Sequence, residues 1–214
     1  MSKTVAIIPI KSVSKRVKGK NFKIIKGKPL YRHLLDKLEY TNFDEIFIDS
    51  DSLEIKEYCK KKKYNFISRL KKLSKDNANG NDLINFHSKI ISADYYFQLF
   101  VTAPLLSVKS INSCISILKN RRNIDSILTT KKIYSWFWFK KKPINYNPKI
   151  LPRSQDALPV IQETTGLYGI KKKILVRNKC RIGKKPFFYE VSDRESLDID
   201  NVEDLNYLKK IIQG

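Results

Sequence analysis

Short runs of β-branched and apolar residues recur along the chain, each followed by a polar loop and then by apolar positions at helical spacing. TVAIIPI at 4–10 and EIFIDS at 45–50 have the length and composition of buried strands, and LYRHLLDKLEY and SLEIKEYCKKK behind them read as helices. The unit recurs with YNFIS at 64–68 and a helix near 81–92, then with DYYFQLFV at 94–101 and SVKSINSCISILKN after it. DSILTT at 125–130 reads as another buried strand. Such alternation predicts an α/β fold with a mainly parallel sheet and helices on both faces.

The pattern breaks at 131–152, where YSWFWFKKKPINYNP is aromatic, turn-rich and Pro-bearing, and is expected to form a hairpin or arm outside the alternating core. Regularity returns with GLYGI, FFYEV and a closing helix from about Val202 to Ile212. No repeat or linker divides the chain, so its 214 residues read as one domain.

Cys59, Cys114 and Cys180 lie far apart and in no metal-binding spacing, which fits thiols in a reducing cytoplasm. No leader-like segment and no run of 18 apolar residues occurs, so a soluble protein is expected. The net charge of +22 raises nucleic acid, a membrane surface and a phosphorylated small molecule as partners. Lysine heavily outnumbers arginine, however, and Ile, Asn and Tyr are abundant, as an AT-rich coding genome produces without selection for any partner. The lysines are spread along the whole chain, which argues against a dedicated nucleic-acid surface.

In an open α/β sheet, ligands bind beyond the carboxyl ends of the strands. KSVSKRVKGKN at 11–21 occupies that place after the first strand and supplies Lys11, Lys15, Arg16, Lys18 and Lys20 with Ser12, Ser14 and Gly19 between them. Cationic side chains and a loop able to curl suit a triphosphate, although a basic loop can equally be a solvated face. The loop carries neither the GKS/GKT of a P-loop nor GxGxxG. Far along the chain, Asp198 and Asp200 in SLDID are two residues apart, so an extended segment would point both carboxylates to one side. The competing reading is that Asp200 or Asn201 caps the closing helix.

The run IIPIKSVSKRVKGKNFKIIKGKPL resembles the IPAR-x-x-SKR-x-x-x-KN…GKPL signature of the acylneuraminate cytidylyltransferases, the synthetases of CMP-sialic acid and related CMP-nonulosonic acids. The resemblance continues in order. FIDSDSLEIKEYC is similar to that family's second strand and turn, SRLKKLSKDNANGND to its R-x-x-x-L-x-x-D-x-A segment, and QLFVTAPLL to its LLQPTSPL loop. PRSQDALP is similar to its Arg-x-Gln segment, ETTGLYGI to its ENGAIYI strand, and ESLDIDNVEDL to its SxDID turn. The chain departs from the pattern at Lys11, where the family has Arg, at Ser12-Val13, where it has a glycine pair, and at Asn79, where it has Ser.

The resemblance implies a single Rossmann-like nucleotidyltransferase domain over 1–214 with a small protruding dimerisation arm at 131–152, working as a cytoplasmic homodimer. It implies transfer of CMP from CTP to the C2 hydroxyl of a nonulosonic acid with loss of pyrophosphate, and neither nucleic acid nor membrane as partner. Lys11, Arg16 and Lys20 would lie over the triphosphate, with Ser14 and Asn21 in the same loop. Arg69, Asn79 and Asn81 would contact base and ribose, Gln98 the sugar, and Arg153 and Gln155 its carboxylate. Asp198 and Asp200 would hold Mg²⁺, with Asp200 catalytic. His33 and His87 carry no role in this reading. A synthetase for an eight-carbon keto acid, another sugar nucleotidyltransferase, or an inactive relative are the alternatives.

Overall fold

A computed structural model describes residues 2–75 and 77–213. Asp76, inside the KDNANGND segment, lies outside the described residues. The chain opens with β1 (Thr4–Ile10), followed by the two-residue strands β2 (Ile24–Ile25) and β3 (Lys28–Pro29) and helix α1 (Arg32–Leu35). Next come β4 (Glu45–Ser50), α2 (Leu53–Lys62), β5 (Asn65–Ser68), α3 (Gly80–Ile90), β6 (Tyr95–Leu99) and α4 (Val108–Asn120). The remainder is β7 (Ser126–Ile133), the short β8 (Trp138–Phe139) and β9 (Lys142–Pro143), β10 (Val160–Lys171), α5 (Lys172–Asn178), β11 (Pro186–Glu190) and α6 (Val202–Gln213).

Seven strands form one sheet in the order β11-β7-β10-β6-β1-β4-β5. Pairing is parallel except along β10, which runs antiparallel to both β6 and β7. The expected mainly parallel α/β sheet is therefore present. Strand alternation builds its two faces. From β1, Ala6, Ile8 and Ile10 pack with Ile55 and Cys59 of α2 and with Ile111, Cys114 and Ile115 of α4. Val5 and Ile7 point to the opposite face, against Ile84 of α3 and Leu175 of α5. A third apolar cluster lies outside these layers and joins Val17, Ile25 and Leu30 to Ile199, Leu205 and Leu208.

Two expectations change. The helix expected over LYRHLLDKLEY shrinks to four residues followed by a 3-10 turn at Leu38–Tyr40. There the Lys37 ammonium is tied to the carbonyls of Pro104 and Leu106 at 2.8 and 2.7 Å, which anchors the tighter turn to the loop after β6. β7 also runs beyond the expected 125–130, because its far end pairs with Val160–Glu163 of β10.

Beyond β7 the segment 134–152 leaves the sheet. Lys140 and Lys141, with φ of 47° and 63°, make the two-residue turn between β8 and β9, the left-handed pair that a tight hairpin requires. Asn145 is buried at its base, donating to the Ser135 and Leu158 carbonyls and accepting from Phe137 N–H. Trp136 and Trp138 lean on Tyr146, yet Trp138 and Phe139 remain exposed.

A methyl group added at Gly169 on β10 would collide with the Phe97 ring and the Ile127 side chain across the sheet. Gly169→Ala should therefore destabilise the fold by about 1–3 kcal/mol, the usual range for overpacking, read as a lowered urea midpoint at unchanged slope. An unchanged midpoint would contradict this packing.

Candidate active site

The parallel strands β1, β4, β5 and β6 end on the same edge of the sheet, and the segments following β1, β5 and β6 line one cleft of about 460 Å³. Its walls include Lys11, Ser14, Arg16, Lys20 and Asn21 from the loop after β1, Arg69 after β5, and Phe100 and Thr102 after β6. A second cavity of about 770 Å³ is lined by Glu163, Thr164 and Thr165 of β10 and by Asp193, Asp198 and Asp200 of the carboxyl-terminal turn. The charged residues of the first lining are all basic, whereas those of the second are five carboxylates and Lys131.

Lys20 and Asp200 stand where the two meet. The Lys20 side chain is largely buried; its ammonium donates to the Ile199 carbonyl and lies 3.4 Å from Asp200 Oδ1. Arg16 Nη1 is 2.7 Å from Asp200 Oδ2. The cationic loop and the acidic turn are thus in direct contact. Within the loop, Asn21 Nδ2 donates to the Lys11 carbonyl at 2.9 Å, and Gly19 adopts φ +63° ahead of the short helical turn Lys20–Phe22. Ser12 donates through N–H and hydroxyl to the two oxygens of Asp51, at 2.7 and 2.9 Å. Neither Ser12 nor Val13 has a positive φ, so the loop is built here without glycines at those positions.

The acidic turn carries its two carboxylates to one side. Ile199 points into the third apolar cluster and its N–H donates to the Thr102 carbonyl, leaving Asp198 and Asp200 to line the same cavity. The helix cap is Asn201, whose Oδ1 accepts from Asp204 N–H, while Asp204 accepts in return from the N–H groups of Asp200 and Asn201. The Asp200 carboxylate is thereby left to Arg16 and Lys20. Burial raises the Asp198 carboxyl; hydrogen bonds from Thr165 and Thr102 oppose the rise, and the charge of Asp200 adds to it. Asp198 Oδ1 is buried without a hydrogen-bond partner among the described residues, the condition of an oxygen suited to a cation. Thr165, which donates to Asp198 Oδ2 at 2.6 Å, holds φ +53° at the β10 bulge, an unusual conformation for a β-branched residue.

The other sequence candidates divide. Arg69 lines the basic cleft but its guanidinium is committed to Asp49, through Nε to Oδ1 at 2.8 Å and Nη2 to the carbonyl at 2.9 Å. His87 Nε2 meets the second Asp49 oxygen at 2.6 Å, so the histidine read as incidental completes a buried triad beneath the cleft. Burial alone would raise the Asp49 carboxyl, but the hydrogen bond from His87 and the charge of Arg69 hold it below the ordinary range. Asn79 caps α3 in a capping box with Asp82, and Asn81 Oδ1 accepts from the Arg181 N–H, so neither side chain lines the basic cleft. The capping signal was present in the sequence as Asn79 followed three residues on by an acid. Gln98 is fully buried, donating to the Gly80 carbonyl and accepting from Arg181. Arg153 and Gln155 sit in an exposed turn, with Arg153 paired to Asp156 at 2.6 Å, and line neither cavity.

Residues 5–213 match the sequence model of the family described as Cytidylyltransferase. The chain belongs to the cytidylyltransferase family. It is 24% identical over 213 residues to the N-acylneuraminate cytidylyltransferase of Streptococcus agalactiae, covering 94% of this chain and 51% of that protein. It is 24% identical over 205 residues to N-acylneuraminate cytidylyltransferase A of Danio rerio, covering 91% and 47%. The chain thus spans about half the length of these two curated relatives. A pseudaminic acid cytidylyltransferase of Campylobacter jejuni is 35% identical, with 97% of this chain and 95% of that protein covered. Among solved structures, a CMP:2-keto-3-deoxy-manno-octonic acid synthetase complexed with CTP superposes with TM-score 0.74 over 99% of both chains at 16% identity, a likeness of fold.

Removing one member of a buried ion pair costs roughly 3–5 kcal/mol. Asp49→Ala should therefore lower the unfolding free energy by about 3 kcal/mol or more in denaturant titration at neutral pH. Because the folded Asp49 carboxyl is depressed, its contribution is present above the unfolded value of about 4 and fades as pH falls through the folded value. The gap between wild type and variant should narrow in acid; a gap that widens would contradict the assignment.

Proposed function

We propose that the protein transfers CMP from CTP to the C2 hydroxyl of a nonulosonic, sialic-acid-like sugar acid, releasing pyrophosphate. The observation that carries this reading is the contact of Lys20 and Arg16 with Asp200, which sets a phosphate-binding loop against a carboxylate pair at one point. Nucleotidyl transfer demands mainly positioning and charge neutralisation. Lys11, Ser14, Arg16 and Lys20 receive the triphosphate of CTP and steady the departing pyrophosphate, while Asn21 fixes the loop by holding the Lys11 carbonyl. The sugar acid enters from the cavity beside β10, where its hydroxyl oxygen meets the α-phosphate near Lys20 and Asp200.

Asp198 and Asp200 fit a Mg²⁺ ion on the chemistry of their oxygens. Asp198 Oδ1 is without a partner and both side chains are hard oxygen donors. Among the described residues no group of three or more His, Cys, Asp or Glu is arranged to hold a metal, so further ligands would come from phosphate and water, the habit of Mg²⁺ rather than of a protein cage. Bound there, the ion would neutralise phosphate charge and acidify the sugar hydroxyl.

We further propose a homodimer in which a second copy covers the exposed Trp138 and Phe139 of the arm. The cytoplasm suits the three free cysteines.

Pyrophosphate release from CTP and Mg²⁺, measured across nine-carbon sugar acids with the eight-carbon keto acid included, should be greatest for a nine-carbon acid. Preference for the eight-carbon acid would redirect the reading, and no turnover with any would end it. Asp200→Asn should lose turnover by about 100-fold or more while still binding CTP, the scale for removing a charge-stabilising group. Unchanged turnover would refute the metal assignment.

A further inference from the structure

A sugar acid is an anion, yet five carboxylates, those of Glu163, Asp193, Asp198, Asp200 and Asp204, line the cavity assigned to it against a single cation, Lys131. An ammonium is a point charge, and paired oxygens are better received by the planar fork of an arginine. Arg16 is occupied by Asp200, Arg69 is buried on Asp49, and Arg153 pairs with Asp156 on an exposed turn. An arginine held between the two linings is Arg181, in the loop between α5 and β11; it lines neither cavity itself but touches residues of both, and no motif surrounds it in the sequence.

Arg181 is held from several sides. Its guanidinium carbon lies 3.5 Å from the Tyr168 ring centroid and 5.6 Å from that of Phe100. Nη1 donates to Gln98 Oε1 at 3.2 Å, and the backbone N–H is fixed by Asn81 Oδ1 at 2.9 Å. A Cβ at Gly80 would collide with Nη1, so the first residue of α3 is small enough to admit the guanidinium. Among the described residues it makes no ion pair.

Its neighbours connect it to both halves of the site. Phe100 lines the nucleotide cleft, and the Tyr168 hydroxyl donates to Glu163 of the acidic cavity at 2.7 Å. A guanidinium carries five N–H donors in a planar fork, and Gln98 takes one. The arrangement is a preorganised cation whose other donors are uncommitted among the described residues, and preorganisation of that kind favours an oxygen pair on a ligand over water.

We propose that Arg181 is a specificity-determining residue of the sugar-acid site, donating to paired or acyl oxygens on the substrate, either its carboxylate or the carbonyl of an acylamino substituent. Gln98 and Tyr168 act through it, by fixing the plane of the fork. The proposal rests on the cytidylyltransferase reading above.

Steady-state kinetics with Arg181→Met and Arg181→Lys, with thermal midpoints recorded, test it. The methionine variant should raise KM for the sugar acid by about 10-fold or more, the loss expected for a charge-assisted hydrogen bond, with KM for CTP within about twofold. The lysine variant, which keeps the charge but not the fork, should fall between and guards against a methionine variant that does not fold. With a de-N-acylated substrate, a penalty that persists identifies the carboxylate as the group received, and one that disappears identifies the acyl carbonyl. A sugar-acid KM unchanged in the lysine variant and in a folded methionine variant would overturn the proposal, as would equal rises in KM for the sugar acid and for CTP. Absence of turnover by the wild type would instead sink the parent reading of function.

Discussion

The site depends on the apolar cluster that joins the amino-terminal loop to the carboxyl-terminal turn. Val17, Ile25 and Leu30 pack on Ile199, Leu205 and Leu208 across most of the sequence length. Each fully buried side chain of this kind contributes about 1.5–3 kcal/mol, whereas an exposed ion pair such as Arg16 with Asp200 contributes under about 1 kcal/mol. The contact of charges is therefore a consequence of the packing. Ile199 turned inward forces Asp198 and Asp200 outward, and Val17 turned inward brings Lys20 and Arg16 to meet them.

The same logic explains why opposite charges are left at the junction. Folding holds Lys20 largely buried against the Ile199 carbonyl and Asp198 with an unsatisfied oxygen, a state that apolar packing supports and a ligand would relieve. Thr165, in a left-handed conformation at the β10 bulge, fixes one oxygen of Asp198 and leaves the other open. Beneath the cleft the buried Asp49–Arg69–His87 triad ties α3 and the segment after β5 to the end of β4.

Much of the fold was legible because buried strands of a parallel sheet are short apolar runs, and TVAIIPI, EIFIDS and DYYFQLFV have little other possible reading. The truncation of α1 was not, since it follows from Lys37 reaching carbonyls near residue 105, a contact with no local signature. The loop at 11–21 and the turn at 198–200 could be singled out by type and spacing, but their contact rests on a cluster formed by residues nearly 200 positions apart. Asn79 and Asn81 were drawn toward the nucleotide by resemblance, while the structure uses them to cap α3 and to hold Arg181. His87 was set aside and Arg181 passed over because neither lies in a motif; each gains its place only when the strands bring Gln98, Tyr168 and Asp49 into register.

The claim that this junction is where nucleotide and sugar meet is tested most directly by a crystal structure with CTP and Mg²⁺ bound. The account predicts phosphate oxygens within hydrogen-bond reach of Lys20 and the loop after β1, with the ion held by the Asp198–Asp200 pair. CTP seated elsewhere on the molecule, or an ion bound away from those carboxylates, would contradict it.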